Sequence, residues 1–208
     1  SNLEGGYKAA AKKTLYTNSG NSYLIYDRMK MYVHGDDESD RVKFFLQFGL
    51  GDDYYKIIQP VYRGWDEDTV RNSIDLDLNW LTKLKLQSEG NIEKIRHTDS
   101  LKIWVDSEGK EIREYTFTGE NGDTTGKKII LHGSPSLSRI QYFTVGITNV
   151  SDSPISGEVW IDELRLSGVK KDKGIAMRVQ SKFNLADLGN ATLSYSRKDA
   201  DFHVLQQR

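Results

Sequence analysis

RVKFFLQFGLGDDYYKIIQP, Arg41 to Pro60, decides the fold class. In its first half Val42, Phe44, Leu46 and Phe48 recur at every second position, the period of a strand with one buried face. The run YYKIIQPVY follows. Pro60 has no N–H to give to a ladder, which predicts that this second strand runs near an edge or a bulge.

The same grammar extends in both directions. Upstream, RMKMYVHG sets Met29, Met31 and Val33 on one face and Arg28, Lys30 and Tyr32 on the other. Downstream, KIWVDSEGKEIREYTF reads as a hairpin turning at Ser107–Gly109, and KKIILHG and RIQYFTVGITNV read as further strands. Clusters of Gly, Asp, Asn and Ser punctuate these runs, as antiparallel structure requires. Only LNWLTKLKL, Leu78 to Leu86, has helical spacing, with Asp77 placed to cap it. Many short strands and one short helix predict an all-β, jelly-roll-like antiparallel β-sandwich over residues 1–168.

Composition excludes several functions. The 208 residues carry 29 Lys plus Arg against 30 Asp plus Glu. No basic excess is present to neutralise phosphates, so nucleic acid is not an expected partner. Cysteine is absent, which removes disulfides, thiolate nucleophiles and thiolate metal ligands. The opening SNLEGGYKAAAKK has neither an initiating Met nor the apolar centre of a signal peptide, so the chain reads as an excerpt of a longer polypeptide.

No motif predicts catalysis, a metal or a cofactor. His34, His97, His132 and His203 have no paired-ligand spacing. HGSPSLS resembles a nucleophile turn only superficially. In GENGDTTGKK, Gly122 and Gly126 enclose three residues where a phosphate loop needs four. GDDESD, Gly35 to Asp40, is acidic but has Arg41 and Gln47 where a calcium loop needs Gly and Glu. Asp75 and Asp77 would stand about 7 Å apart on one strand face, ordinary for a solvated strand and a weak basis for a hydrolase. Tyr54, Tyr55 and Trp65 cluster around one strand and its exit. If exposed, they would form the ring platform of a carbohydrate-binding module, the alternative function for this fold.

In GEVWIDELRLSG, Gly157 to Gly168, Val159 and Ile161 share one phase while Leu164 and Leu166 share the other. A β-bulge at Asp162–Glu163 would keep both pairs on the core. Alternatively the strand is covered on both faces; Trp160 is then expected as a core anchor, and Asp162, Glu163 and Arg165 as a local charge cluster. Nothing there sets a nucleophile beside a base, so the stretch is expected to close a fold.

After LSGVKKDKG the pattern changes, and residues 169–208 read as a separate β-hairpin. Ile175, Met177, Val179, Phe183 and Leu185 share a face with Ser181, while Ala176, Arg178, Gln180, Lys182 and Asn184 share the other. ADLGN supplies a turn. Ala191, Leu193 and Tyr195 then alternate with Thr192, Ser194 and Ser196. Apolar-out, polar-in strands of about 9–11 residues suit a membrane β-barrel. On pattern alone a soluble hairpin capping the sandwich is the favoured reading, because the barrel signal is weak per segment.

HGSPSLSRIQYFTVGITN, GEVWIDELRLSG and LADLGNATLSYSRKDADFHVLQQR, taken together, resemble the SprA/Sov family. DRMKMYVHG, FFLQFGLGDDYYKIIQP and NSIDLDLNWLTKLK fit it as well, in family order. The family pattern has Gly-Asn-Pro where Gly133, Ser134 and Pro135 stand, and often Asn at Asp162. The stretch from about Ile95 to Gly126 has no counterpart. The resemblance implies a very large outer-membrane protein of gram-negative bacteria, the translocon pore of the type IX secretion system, with a link to gliding motility. Its partners would be secreted cargo and other envelope proteins, with the outer membrane met through the C-terminal strands. It implies no enzyme activity. It marks Gly133, Pro135, Leu137, Trp160, Glu163, Leu164 and Arg165 as structural motif residues.

Overall fold

A computed structural model of the chain describes residues 2–15, 20–36, 41–65, 72–86, 98–118, 124–169, 176–185 and 189–198. The chain divides into two units, Ser1–Val169 and Lys170–Arg208.

The first unit is an antiparallel sandwich of unequal sheets. Its strands are β1 (Lys8–Thr14), β2 (Tyr26–Gly35), β3 (Val42–Leu50), β4 (Asp53–Pro60), β5 (Ser73–Asp77), β6 (Thr98–Val105), β7 (Glu111–Thr118), β8 (Thr124–His132), β9 (Tyr142–Asn149), β10 (Val159–Ile161) and β11 (Arg165–Val169). The large sheet runs β1-β9-β3-β4-β8-β7-β6. The small one is built on β2, which pairs with β5, β10 and β11.

Alternation explains how the sheets face each other. Phe44, Leu46 and Phe48 of β3 stand beside Tyr55 and Ile57 of β4, which in turn meet Leu131 and Ile129 of β8. Met29, Met31 and Val33 of β2 meet them from the small sheet, together with Ile74 and Leu76 of β5. All are buried in one continuous core.

The helix α1 (Leu78–Lys83) completes this core. Asp77 Oδ1 accepts the Trp80 N–H at 2.9 Å, the expected cap. Leu78 and Leu81, with Leu84 of the following 3-10 turn, turn inward, and the Leu84 carbonyl accepts the buried Tyr115 hydroxyl. The Ser107–Gly109 turn also forms where it was expected, joining β6 to β7.

Two expectations need correction. β4 is not an edge strand, since β3 and β8 flank it. Pro60 is tolerated because it ends the strand, two residues past the last β8 partner, Ile58. β1, KAAAKKT, was not foreseen as a strand. Its alanines and lysines carry no strand pattern, yet seven residues pair with β9.

Asn72 holds the β4–β5 connection. It is fully buried, accepts the Tyr62 N–H at 2.8 Å and donates to the Tyr62 and Gly64 carbonyls at 2.7 and 2.9 Å. Backbone polar groups there would otherwise be buried without partners.

In the second unit β12 (Ala176–Leu185) pairs in full register with β13 (Gly189–Lys198). Residues 186–188, where ADLGN was read as a turn, lie outside the described residues.

Phe48→Ala should cost about 3–5 kcal/mol, because the ring is fully buried among Tyr55 and Phe143 and its cavity has little room to close. Urea denaturation followed by far-UV circular dichroism checks this.

Candidate functional site

GEVWIDELRLSG forms the seam along β2. Ile161 stands opposite Val33 and Arg165 opposite Lys30, so four steps on this side answer three on β2. One extra residue is inserted, as a β-bulge requires. Val159 before the bulge and Leu164 and Leu166 after it pack on the core, but Ile161, expected there with Val159, is 41% exposed at the end of β10. Asp162 and Glu163 pair with Arg165 at 3.7 and 3.4 Å on the exposed side.

The same parity moves Trp160 out of the core, contrary to expectation. It faces the outer side of the small sheet beside His34 and is 53% exposed. No third layer covers that face among the described residues. Trp160 stacks on His34 with centroids 5.2 Å apart, and Trp65, 42% exposed, meets His34 from another side at 5.1 Å. The Trp160 indole N–H donates to Glu158 Oε2 at 2.9 Å, and the Glu158 N–H donates to Asp36 Oδ2 at 2.6 Å. His34 Nδ1 is buried without a hydrogen-bond partner. A cleft of about 450 Å³ adjoins this group, lined by Gly35, Asp36, Arg41, Val61, Glu158 and Val159 among others. Of the acidic turn Gly35–Asp40, residues 37–40 lie outside the described residues, as do His97, His203 and Gly122.

The expected ring platform does not assemble. Tyr54 and Tyr55 are adjacent in β4 and so point to opposite faces. Tyr55 is fully buried, its hydroxyl donating to the Pro135 carbonyl at 3.1 Å, and burial pushes its phenol far up. It has no ring face to offer a sugar. Tyr54 lies flat on His132 at 4.7 Å on the outer face of the large sheet. Trp65 belongs to the His34 group instead.

Around His132 a polar cluster pins the β6–β7 turn. His132 Nε2 meets Asp106 Oδ2 at 2.8 Å, and Asp106 Oδ1 accepts the N–H groups of Lys110 and Glu108 at 2.8 Å each. The Lys110 N–H foremost, with Glu108 and His132, holds the Asp106 carboxyl below the usual carboxylate range. Nearby, Gly133 adopts φ +65°, and a Cβ there would fall 2.1 Å from Asp53 Oδ1. The positive φ is what favours glycine here, since the Asp53 carboxylate is the free end of a flexible, partly exposed side chain. Leu137 is buried in the core and Leu164 half-buried against it. Of the motif residues, Leu137 and Leu164 pack on the core, Gly133 adopts a positive φ and the Pro135 carbonyl accepts the Tyr55 hydroxyl, while Trp160, Glu163 and Arg165 are exposed.

The other acids are engaged too. Asp75 receives Arg28 Nε at 2.8 Å and lies 3.6 Å from Lys30, while Asp77 caps α1. No group of three metal-ligating side chains occurs among the described residues.

The hairpin presents a different surface. Met177, Val179, Phe183, Leu193 and Tyr195 share one face by register and are 47–67% exposed. The opposite face carries Arg178, Gln180 and Lys182 against Ser196, Ser194 and Thr192. Among the described residues no helix is long and apolar enough to cross a membrane, which leaves strands untouched by that test.

The chain thus comprises an antiparallel β-sandwich and a two-faced β-hairpin. The chain belongs to the SprA_N family, described as motility related/secretion protein, whose family model matches residues 1–208. Membership points to association with the cell envelope. No curated protein matches the chain.

Trp160→Ala should cost only about 1–2 kcal/mol, because half of its surface already meets solvent. Thermal melting beside Phe48→Ala tests the contrast. Asp106 stabilises the turn above the ordinary carboxylate pKa, and that contribution is lost as pH falls through its depressed folded value. Asp106→Asn should therefore flatten the acid limb of melting temperature against pH.

Proposed function

We propose that this chain is a non-catalytic segment of an outer-membrane protein-secretion translocon of the type IX system, with the sandwich adjoining the pore barrel. The hairpin supplies the barrel strands. The observation that carries this reading is the pairing of two ten-residue strands with one solvent-exposed apolar face and one polar face. In water that face is a liability, and an unpaired edge invites aggregation. In a barrel wall the apolar face meets lipid, the polar face lines the lumen, and neighbouring strands close the edges. Family membership supports the secretion part of the reading. The partners would be secreted cargo, other envelope proteins of the system and the outer membrane itself.

The sandwich suits a scaffold role. Its core is complete within the unit, and its motif residues hold turns and the β2 seam.

Flotation of the 208-residue chain with phosphatidylethanolamine–phosphatidylglycerol vesicles tests the proposal. The wild-type chain should rise with the lipid. The double variant Val179→Lys, Leu193→Lys should stay behind, since a lysine on a lipid-facing strand costs about 2–4 kcal/mol at the midplane. A wild-type chain that stays at the bottom of the gradient would sink the membrane assignment.

A further inference from the structure

β1 ends the large sheet. It pairs with β9 on one side and with no strand on the other among the described residues, and all seven of its residues are exposed. We propose that this edge receives an acidic, extended segment of a partner protein as an additional strand.

The backbone supplies the affinity. An edge strand turns a row of N–H and C=O groups outward, and an incoming strand satisfies them as a neighbour in the sheet would. Ala9, Ala10 and Ala11 occupy the middle of β1, so no bulky side chain stands in the way.

Charge selects the guest. On the outward face of β1, β9, β3 and β4 the register sets out Lys8, Lys12, Lys43 and Lys56, and no carboxylate stands in those rows. Lys56 Nζ lies over the Phe45 ring at 4.4 Å and Lys12 Nζ over the Tyr142 ring at 4.3 Å, so these cations rest on aromatic faces. Phe45 in turn lies across Gly146, where a Cβ would meet its Cζ at 2.6 Å. Burial foremost, and then the charge of Lys8, holds the Lys56 ammonium below the usual lysine range, as befits a surface short of carboxylates. Glu4 and Asp152 flank the start of β1, but five lysines, Lys13 included, face those two acids. At the turn beyond the other end, Asp52 and Asp53 lie 3.8 and 3.4 Å from Lys110.

The same sign rejects other occupants. A second copy of β1 would bring lysine against lysine, which is how charged edges resist pairing with themselves. A lipid headgroup layer would neutralise the lysines but has no strand with which to continue the ladder.

Fluorescence anisotropy of a labelled peptide of about eight alternating Thr and Glu residues, titrated with the 208-residue chain in mild nonionic detergent, tests the edge. Extended, its glutamates share one face, as Lys8 and Lys12 do. Saturable binding is expected, weakened at about 0.5 M salt and accompanied by slower deuterium uptake over residues 8–14. The double variant Lys8→Gln, Lys12→Gln should weaken it about tenfold. Lys102→Gln on β6 and Lys182→Gln on the hairpin should leave it unchanged. The same peptide N-methylated at every residue should not bind. Thermal melts of each variant confirm folding. Equal binding by the N-methylated peptide would overturn the proposal, since charge alone would then suffice. So would absence of saturable binding, or undiminished binding by the double lysine variant. Retention of the Val179→Lys, Leu193→Lys variant on phosphatidylglycerol vesicles, lost on adding Lys8→Gln and Lys12→Gln, would assign the face to lipid instead and overturn it as well.

Discussion

Every strand of the small sheet is held through β2. One edge of β2 carries β5 and the other carries β10 and β11 in succession, while its inner side chains Met29, Met31 and Val33 reach the large sheet. The strand therefore has to satisfy two hydrogen-bond ladders and one core face together. A one-residue slip in its pairing would turn its inner row to solvent. That constraint explains the bulge between β10 and β11. The chain that runs along β2 changes phase at Asp162–Glu163, and only an extra residue lets Val159 and Leu166 face the same core.

The bulge also accounts for the most exposed tryptophan. With Val159 on the core side, Trp160 must point out, where it meets His34 and through it Trp65. A device that keeps the fold closed thus leaves two indoles on the surface, beside the carboxylates of Asp36 and Glu158. The hairpin shows the complementary situation. Its apolar face is as regular as the inner face of β3, yet none of its described side chains is buried. The inner faces of the two sandwich sheets bury their apolar rows against each other, whereas the described apolar side chains of the hairpin are exposed, and that difference underlies the proposal of a membrane wall for the hairpin.

Some elements resisted a reading from sequence for identifiable reasons. β1 has a composition that favours helix, but pairing with β9 outweighs intrinsic preference. Tyr54, Tyr55 and Trp65 are close in sequence and were grouped on that basis. Strand alternation sends the first two to opposite faces, and the chain then carries Trp65 to the end of β2. The Trp65–His34–Trp160 stack spans positions 34 to 160 and has no local signal. A core position for Trp160 requires a layer over the outer face of its strand; none is present among the described residues, and the phase of Val159 turns Trp160 outward.

The sequence by itself determined the β class, the Asp77 cap, the Ser107–Gly109 turn, the phase slip at Asp162–Glu163 and the two-faced hairpin. Each is encoded within a few residues, by a period of two, a capping oxygen or a turn glycine. The tertiary structure alone decided which strands became neighbours, that Tyr55 is sealed in the core, and that two distant tryptophans share one histidine. Those outcomes depend on sheet order and on which face a second layer covers, and local pattern carries neither.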